Sequence, residues 1–159
     1  MDSGTVMKFL HVVSAVAMVA GLIARDLVLG RARRSKDLGQ VELLLQISNP
    51  FEKMVVYGSV SVLVFGIVTM LAQGRPLFQA GNYWLPTSIA LFATTLAFVP
   101  TVFIPRGKRF ERSLEEARQS GEVTAELEQA FADGAVAFAR NYEFVVIGLI
   151  FALMVLKPF

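Results

Sequence analysis

The sequence predicts an all-α integral membrane protein, a four-helix bundle with amphipathic helical cytoplasmic loops, and three observations predict it. Hydrophobic residues make up 55% of the 159-residue chain and charged residues only 18%, with mean hydropathy +0.58, well to the apolar side of soluble domains. Two runs carry no charge at all, 21 residues between Lys53 and Arg75 and 30 between Arg75 and Arg106. A hydrocarbon core of ~30 Å needs about 20 helical residues, so each run is long enough to cross. The basic residues are also segregated: 12 of the 15 Lys and Arg fall in residues 25–53 and 105–140. A pair of fully buried helices in a soluble domain would need more polar faces than this chain offers.

The chain reads as one membrane domain, residues 1–159, with spans at about 5–27, 54–73, 84–104 and 141–156. The first span is apolar apart from Lys8, His11, Arg25 and Asp26. It is not a signal peptide by charge order: Asp2 comes first, and the basic cluster Arg31, Arg33, Arg34, Lys36 follows the apolar stretch. That order predicts an uncleaved helix with its N-terminus outside. Pro86 opens the third span, Pro105 closes it, and Pro100 predicts a kink one turn before the exit. The last span is apolar apart from Glu143.

The Lys and Arg distribution sets the orientation. The loops 28–53 and 105–140 are cytoplasmic, the short loop 74–83 with Arg75 is outside, and both termini face outward. Tyr83 and Trp84 anchor the outer boundary, and Phe51, Tyr57 and Tyr142 the inner one. The sequence pI of 9.2 follows from these orienting residues and from anionic lipid, and calls for no nucleic acid. Within the first loop, Leu38, Val41, Leu43, Leu44, Leu45 and Ile47 predict a short amphipathic helix over 35–50, lying on the membrane and stopped at Asn49-Pro50. Within the second, Phe110, Leu114 and Ala117 recur at helical spacing, as do Leu127, Ala130 and Phe131, with a break at Ser120-Gly121. The second piece is expected to run straight into the last span. Glu111, Glu115 and Arg118 form a solvated face.

The chemistry-bearing residues cluster on the first helix. His11, Ser14, Met18, Gly21 and Arg25 share one face, Lys8 lies one turn above His11, and Ala17-x-x-x-Gly21 supplies a small-residue seam for close helix contact. An ionisable group in lipid costs at least ~2.5 kcal/mol at mid-span, so this face should look into protein. His11 is the only histidine. It is either a neutral imidazole hydrogen-bonded to a neighbouring helix or a headgroup, or an axial ligand to haem, with Lys8, Met18 and Arg25 as further cofactor contacts. A single histidine gives one axial bond, so a sixth ligand would come from Met, Lys, water or a second protomer. At the inner end, Arg25 and Glu143 are expected to approach each other with Arg140 and Asn141 nearby, as an ion pair, a proton relay or a propionate contact. The chain has no cysteine, which excludes disulfides and Cys-ligated metal. No nucleophile–base pair, phosphate-binding glycine loop or paired intramembrane carboxylates are visible, which argues against hydrolysis and nucleotide chemistry.

FLHVVSAVAMVAGL (Phe9–Leu22), FGIVTM (Phe65–Met70), Trp84, IPRGKRF (Ile104–Phe110) and LMVLKPF (Leu153–Phe159) resemble, over the whole chain, a bacterial family of predicted integral membrane proteins grouped as a domain of unknown function. That resemblance implies four spans in a bacterial inner membrane and no established activity. His11, Gly21, FARNYE (Phe138–Glu143) and the closing KPF resemble more distantly the HemJ-type protoporphyrinogen oxidases, four-span proteins whose first-helix His ligates haem. Here Met18 stands where that family has tryptophan, Arg25 comes two residues early, and Phe144 replaces the proline of its Asn-Glu-x-Pro signature. Copper-resistance membrane proteins share the His-to-Gly opening but need more Met or His ligands than this chain offers.

Two readings lead. One is a non-enzymatic subunit or accessory membrane protein, in the bilayer as a homodimer or within a larger complex, binding haem b or porphyrin through His11. The other is a haem-dependent membrane oxidoreductase. A small-solute or metal transporter is the weaker third, because four spans without an intramembrane acid pair give little for coupling.

Overall fold

A computed structural model describes residues 3–74, 76–78 and 83–158. Asp2, Arg75 and Phe159, used above for topology and resemblance, lie outside the described residues. Among those described, all regular structure is helical: α1 (Ser3–Ala32), α2 (Leu38–Ala72), α3 (Trp84–Phe98), a π-helical turn (Val99–Phe103), α4 (Ile104–Ser120), α5 (Ala125–Phe131) and α6 (Gly134–Leu156). Four helical stretches are long and apolar enough to cross a membrane, as the sequence predicts. The chain divides into two units, Met1–Pro76 and Leu77–Phe159.

The first unit is an antiparallel hairpin of α1 and α2. Its turn is held by local polar bonds: Ser35 Oγ donates to Gln40 Oε1 at 2.6 Å, and Asp37 Oδ1 accepts the Gly39 amide at 3.0 Å. Asp37 is thereby the N-cap of α2, satisfying an amide that has no ladder partner in the first turn. The expected separate surface helix over 35–50 is corrected here: α2 starts at Leu38 and runs through Asn49-Pro50 without a stop. Proline removes one ladder bond and disfavours helix before it. Apolar residues on both sides and packing of the inner part, where Val41 and Ser48 are buried, outweigh that local preference. Ser48 Oγ donates to the Leu45 carbonyl at 2.8 Å in the turn before the proline.

The second unit pairs α3 antiparallel with α6. The Thr94 hydroxyl and the Tyr142 phenol share a hydrogen bond of 2.8 Å. Phe98 meets Tyr142 and Phe138 edge-to-face at 5.1 and 6.3 Å. At the other end Lys157 Nζ lies 5.6 Å from the centroid of the Trp84 ring, a cation–π contact between the start of α3 and the end of α6. Hydroxyls in α3 are satisfied within the helix, Ser88 Oγ on the Trp84 carbonyl and Thr95 Oγ1 on that of Phe92, as a dry surrounding requires.

Three expectations about this unit change. The kink expected at Pro100 takes the form of the π-helical turn, and the Ile104 amide reaches back five residues to the Val99 carbonyl. Pro105 does not end the helix; it directly follows the π-helical turn, and the helix runs on as α4. The piece after Ser120-Gly121 does not run straight into the last span, because α5 stops at Phe131 and Asp133 caps a new helix, α6. Gly121 does close α4, in the left-handed region at φ 77°, a conformation that glycine adopts without a Cβ penalty. The two periodic faces of this loop meet, with the Phe110 and Phe131 rings edge-to-face at 4.8 Å and Ala117 and Leu127 fully buried. Glu115 and Arg118 pair at 3.3 Å on the exposed side.

Candidate functional site

The α1 stripe faces α2. His11 Nδ1 lies 2.9 Å from the Val62 carbonyl oxygen. A carbonyl only accepts, so Nδ1 is the donor, and in the tautomer this selects the lone pair sits on Nε2. The Val62 carbonyl is already one turn below the Gly66 amide in the α-helical ladder. The imidazole can share it because residue 66 lacks a side chain: a Cβ there would sit 3.0 Å from His11 Cε1 and 3.1 Å from Nδ1. Fixing one ring nitrogen on a carbonyl orients the other, the arrangement that metal-binding imidazoles use.

The same face continues inward. Met18 is buried, and a Cβ at Gly58 would lie 2.9 Å from Met18 Cβ and 3.1 Å from its Cα. Gly21 sits equally close to α2, with its Cβ position 3.0 Å from Met54 Cβ and from the Phe51 carbonyl oxygen. Helices approach this closely only where small residues line the seam. Ala17-x-x-x-Gly21 supplied the α1 half of that seam in the sequence. Gly58, Val62 and Gly66, four residues apart on one face of α2, are the half that the sequence reading missed; the repeat at positions 58 and 66 was the available signal.

The other candidate residues are distributed as follows. Lys8 is exposed and Arg25 half-buried, both on α1. Arg140, Asn141 and Glu143 belong to α6 in the second unit, where Glu143 is buried on the face it shares with Ala139 and Val146. Outside the spans, Asp133 holds the start of α6. Its Oδ1 accepts the Ala135 and Val136 amides at 2.9 and 3.2 Å, and its Oδ2 accepts Arg106 Nη1 at 2.7 Å. Burial pushes the Asp133 carboxyl up, but the two amides and the guanidinium outweigh it, so the group titrates below its ordinary value of 3.8.

For a bare metal ion the donor set is wanting: among the described residues no three His, Asp or Glu side chains gather. For haem, His11 Nε2 would offer a single axial bond. Met18 is seven residues from His11 on the same helix, ~10 Å along its axis at 1.5 Å per residue.

The family model of the predicted integral membrane proteins DUF2269 matches residues 5–158. The chain belongs to the DUF2269 family. No curated protein and no solved structure matches the chain. For this DUF2269 chain, membership agrees with the four apolar helices and assigns no activity.

Proposed function

We propose that this DUF2269 chain is a non-enzymatic accessory protein of the bacterial inner membrane that holds a haem b or porphyrin through His11. The observation that carries the reading is the 2.9 Å bond from His11 Nδ1 to the Val62 carbonyl, which leaves Nε2 as the ring's ligating atom. A haem bound there would supply one-electron chemistry. The chain's own part is to orient the imidazole and to keep it within protein. The lack of a nucleophile–base pair or carboxylate pair in the spans favours an accessory role over catalysis.

The test is the absorption spectrum of the full-length chain purified from haem-replete cells. A Soret band is expected, lost in His11→Ala and weakened or shifted in Gly66→Leu, which keeps the histidine but displaces its ring. A colourless wild-type preparation, or a band indifferent to both substitutions, overturns the reading. Oxidation of protoporphyrinogen by the purified coloured chain would replace the accessory role with the oxidoreductase one.

The orientation rests on the basic loops. Because the chain has no cysteine, single cysteines report it directly. A thiol introduced at Ser35 should be shielded from an impermeant maleimide in intact cells, and one at Lys157 should be labelled. The reverse pattern would invert the topology.

A further inference from the structure

A shallow groove of about 500 Å³ runs along the first hairpin. On α2 it extends from Pro50 to Ser61, and Ser14 and Ala17 line it from α1. Its floor is low because Ala17 and Gly58 bring little or no side chain to the seam. From Lys53 to Ser61 the helix rises ~12 Å, and half of a ~30 Å hydrocarbon core is ~15 Å. From the Lys53 end the groove therefore reaches through most of a single leaflet. Its lining is mostly apolar, broken by the hydroxyls of Ser14, Tyr57 and Ser61, with one charged side chain, Lys53, near the Pro50 end. No carboxylate pairs with Lys53 among the described residues. That end lies on the side of the basic loop Arg31, Arg33, Arg34 and Lys36, where an anionic surface is drawn to the protein.

We infer that this groove binds one anionic phospholipid, its acyl chain laid between α1 and α2 and its phosphate on the Lys53 ammonium. Charge and length both select this occupant. A zwitterionic lipid offers the same phosphate with a compensating cation beside it, and so gains less at Lys53. A second copy of the hairpin would bring a second Lys53 to the same surface. The inference depends on the four-span reading and not on haem, so loss of the Soret band leaves it standing.

Native mass spectrometry of the full-length chain in neutral detergent tests it, with dioleoylphosphatidylglycerol and dioleoylphosphatidylcholine offered at equal concentration. A one-to-one phosphatidylglycerol adduct is expected, and Lys53→Gln should reduce it about fivefold, the worth of one lysine at a membrane surface. Ser61→Leu, which fills the deep end and leaves Lys53 in place, should reduce it as well. Lys108→Gln, a basic residue outside the groove, should leave it unchanged. Equal adducts with both lipids, an adduct indifferent to Lys53→Gln, or equal losses in Lys53→Gln and Lys108→Gln would overturn the assignment. A chain dimer that dissociates on Ser61→Leu would overturn it in favour of a second copy. Lys53→Gln, at an exposed position, keeps the test decisive if Ser61→Leu does not fold.

Discussion

Replacing Gly58 with alanine is expected to lower the stability of the chain by about 1–3 kcal/mol, the cost of overfilling a packed interface. The new methyl would meet Met18 Cβ at 2.9 Å, Cα at 3.1 Å and the backbone nitrogen at 3.3 Å. Two of those three atoms are backbone, so no rotamer change relieves the crowding and α1 must back away from α2. The sign is informative because helix propensity works the other way. In an uncrowded helix, glycine-to-alanine stabilises by roughly 0.5–1 kcal/mol. Gly30 provides that reference, since nothing lies within 4 Å of its Cβ position; Gly30→Ala should be neutral or stabilising. Unfolding in mixed micelles with increasing dodecyl sulfate reads both. Adding Met18→Gly to Gly58→Ala should cost less than the sum of the two single changes, because the clashing Cβ is gone. A neutral Gly58→Ala would mean that the hairpin is looser than described.

The second large effect is expected at Asp133, where one carboxylate serves two partners. Asp133→Ala removes the cap of α6, worth typically about 1 kcal/mol and up to ~2. It also removes the ion pair with Arg106, whose half-exposed setting, 37% and 18% for the two side chains, limits it to about 1 kcal/mol or less. Asp133→Asn separates the two contributions, because asparagine caps as well as aspartate but carries no charge. The pH dependence has a definite sign. The folded carboxyl titrates below 3.8, so its contribution is fully present above that value and is lost as pH falls through the lower folded value. The stability difference between wild type and Asp133→Ala should be constant at neutral pH and shrink on the acid side of 3.8. Hydrogen exchange at the Ala135 and Val136 amides should speed up in Asp133→Ala and much less in Asp133→Asn. A difference that grew with acid would contradict the described pairing.

The spans were legible because a charge is costly in oil, and the gaps flanked by Lys53, Arg75 and Arg106 are the direct imprint of that cost. Helix ends were less legible. Pro50 and Pro105 read locally as stops, yet both sit inside or at the start of helices that continue, because proline's penalty is local while apolar packing accumulates over many residues. The break before α6 was missed although Asp133-Gly134 is a turn-and-cap signature; the apolar run that follows it drew the reading past it. The inward direction of His11 followed from the cost of burying a polar ring in lipid. Its partner did not, since a backbone carbonyl leaves no mark in a sequence. Only the absence of a side chain at Gly66, inside the FGIVTM motif, hints at where the ring must go.

The π-helical turn at Val99–Phe103 acts as a phase correction along the longest helical stretch. Each α-helical residue advances about 100°, so Phe98 and Phe110, twelve residues apart, would point about 120° away from each other on an unbroken α-helix. A π turn absorbs one residue, which cuts that angle to about 20°. Thr94 and Arg106, also twelve residues apart, are realigned in the same way. Thr94, Phe98, Arg106 and Phe110 can then all meet the returning chain, at Tyr142, Phe138, Asp133 and Phe131 respectively. A single surplus residue thus lets one continuous rod keep the same neighbour alongside both its oily half and its watery half.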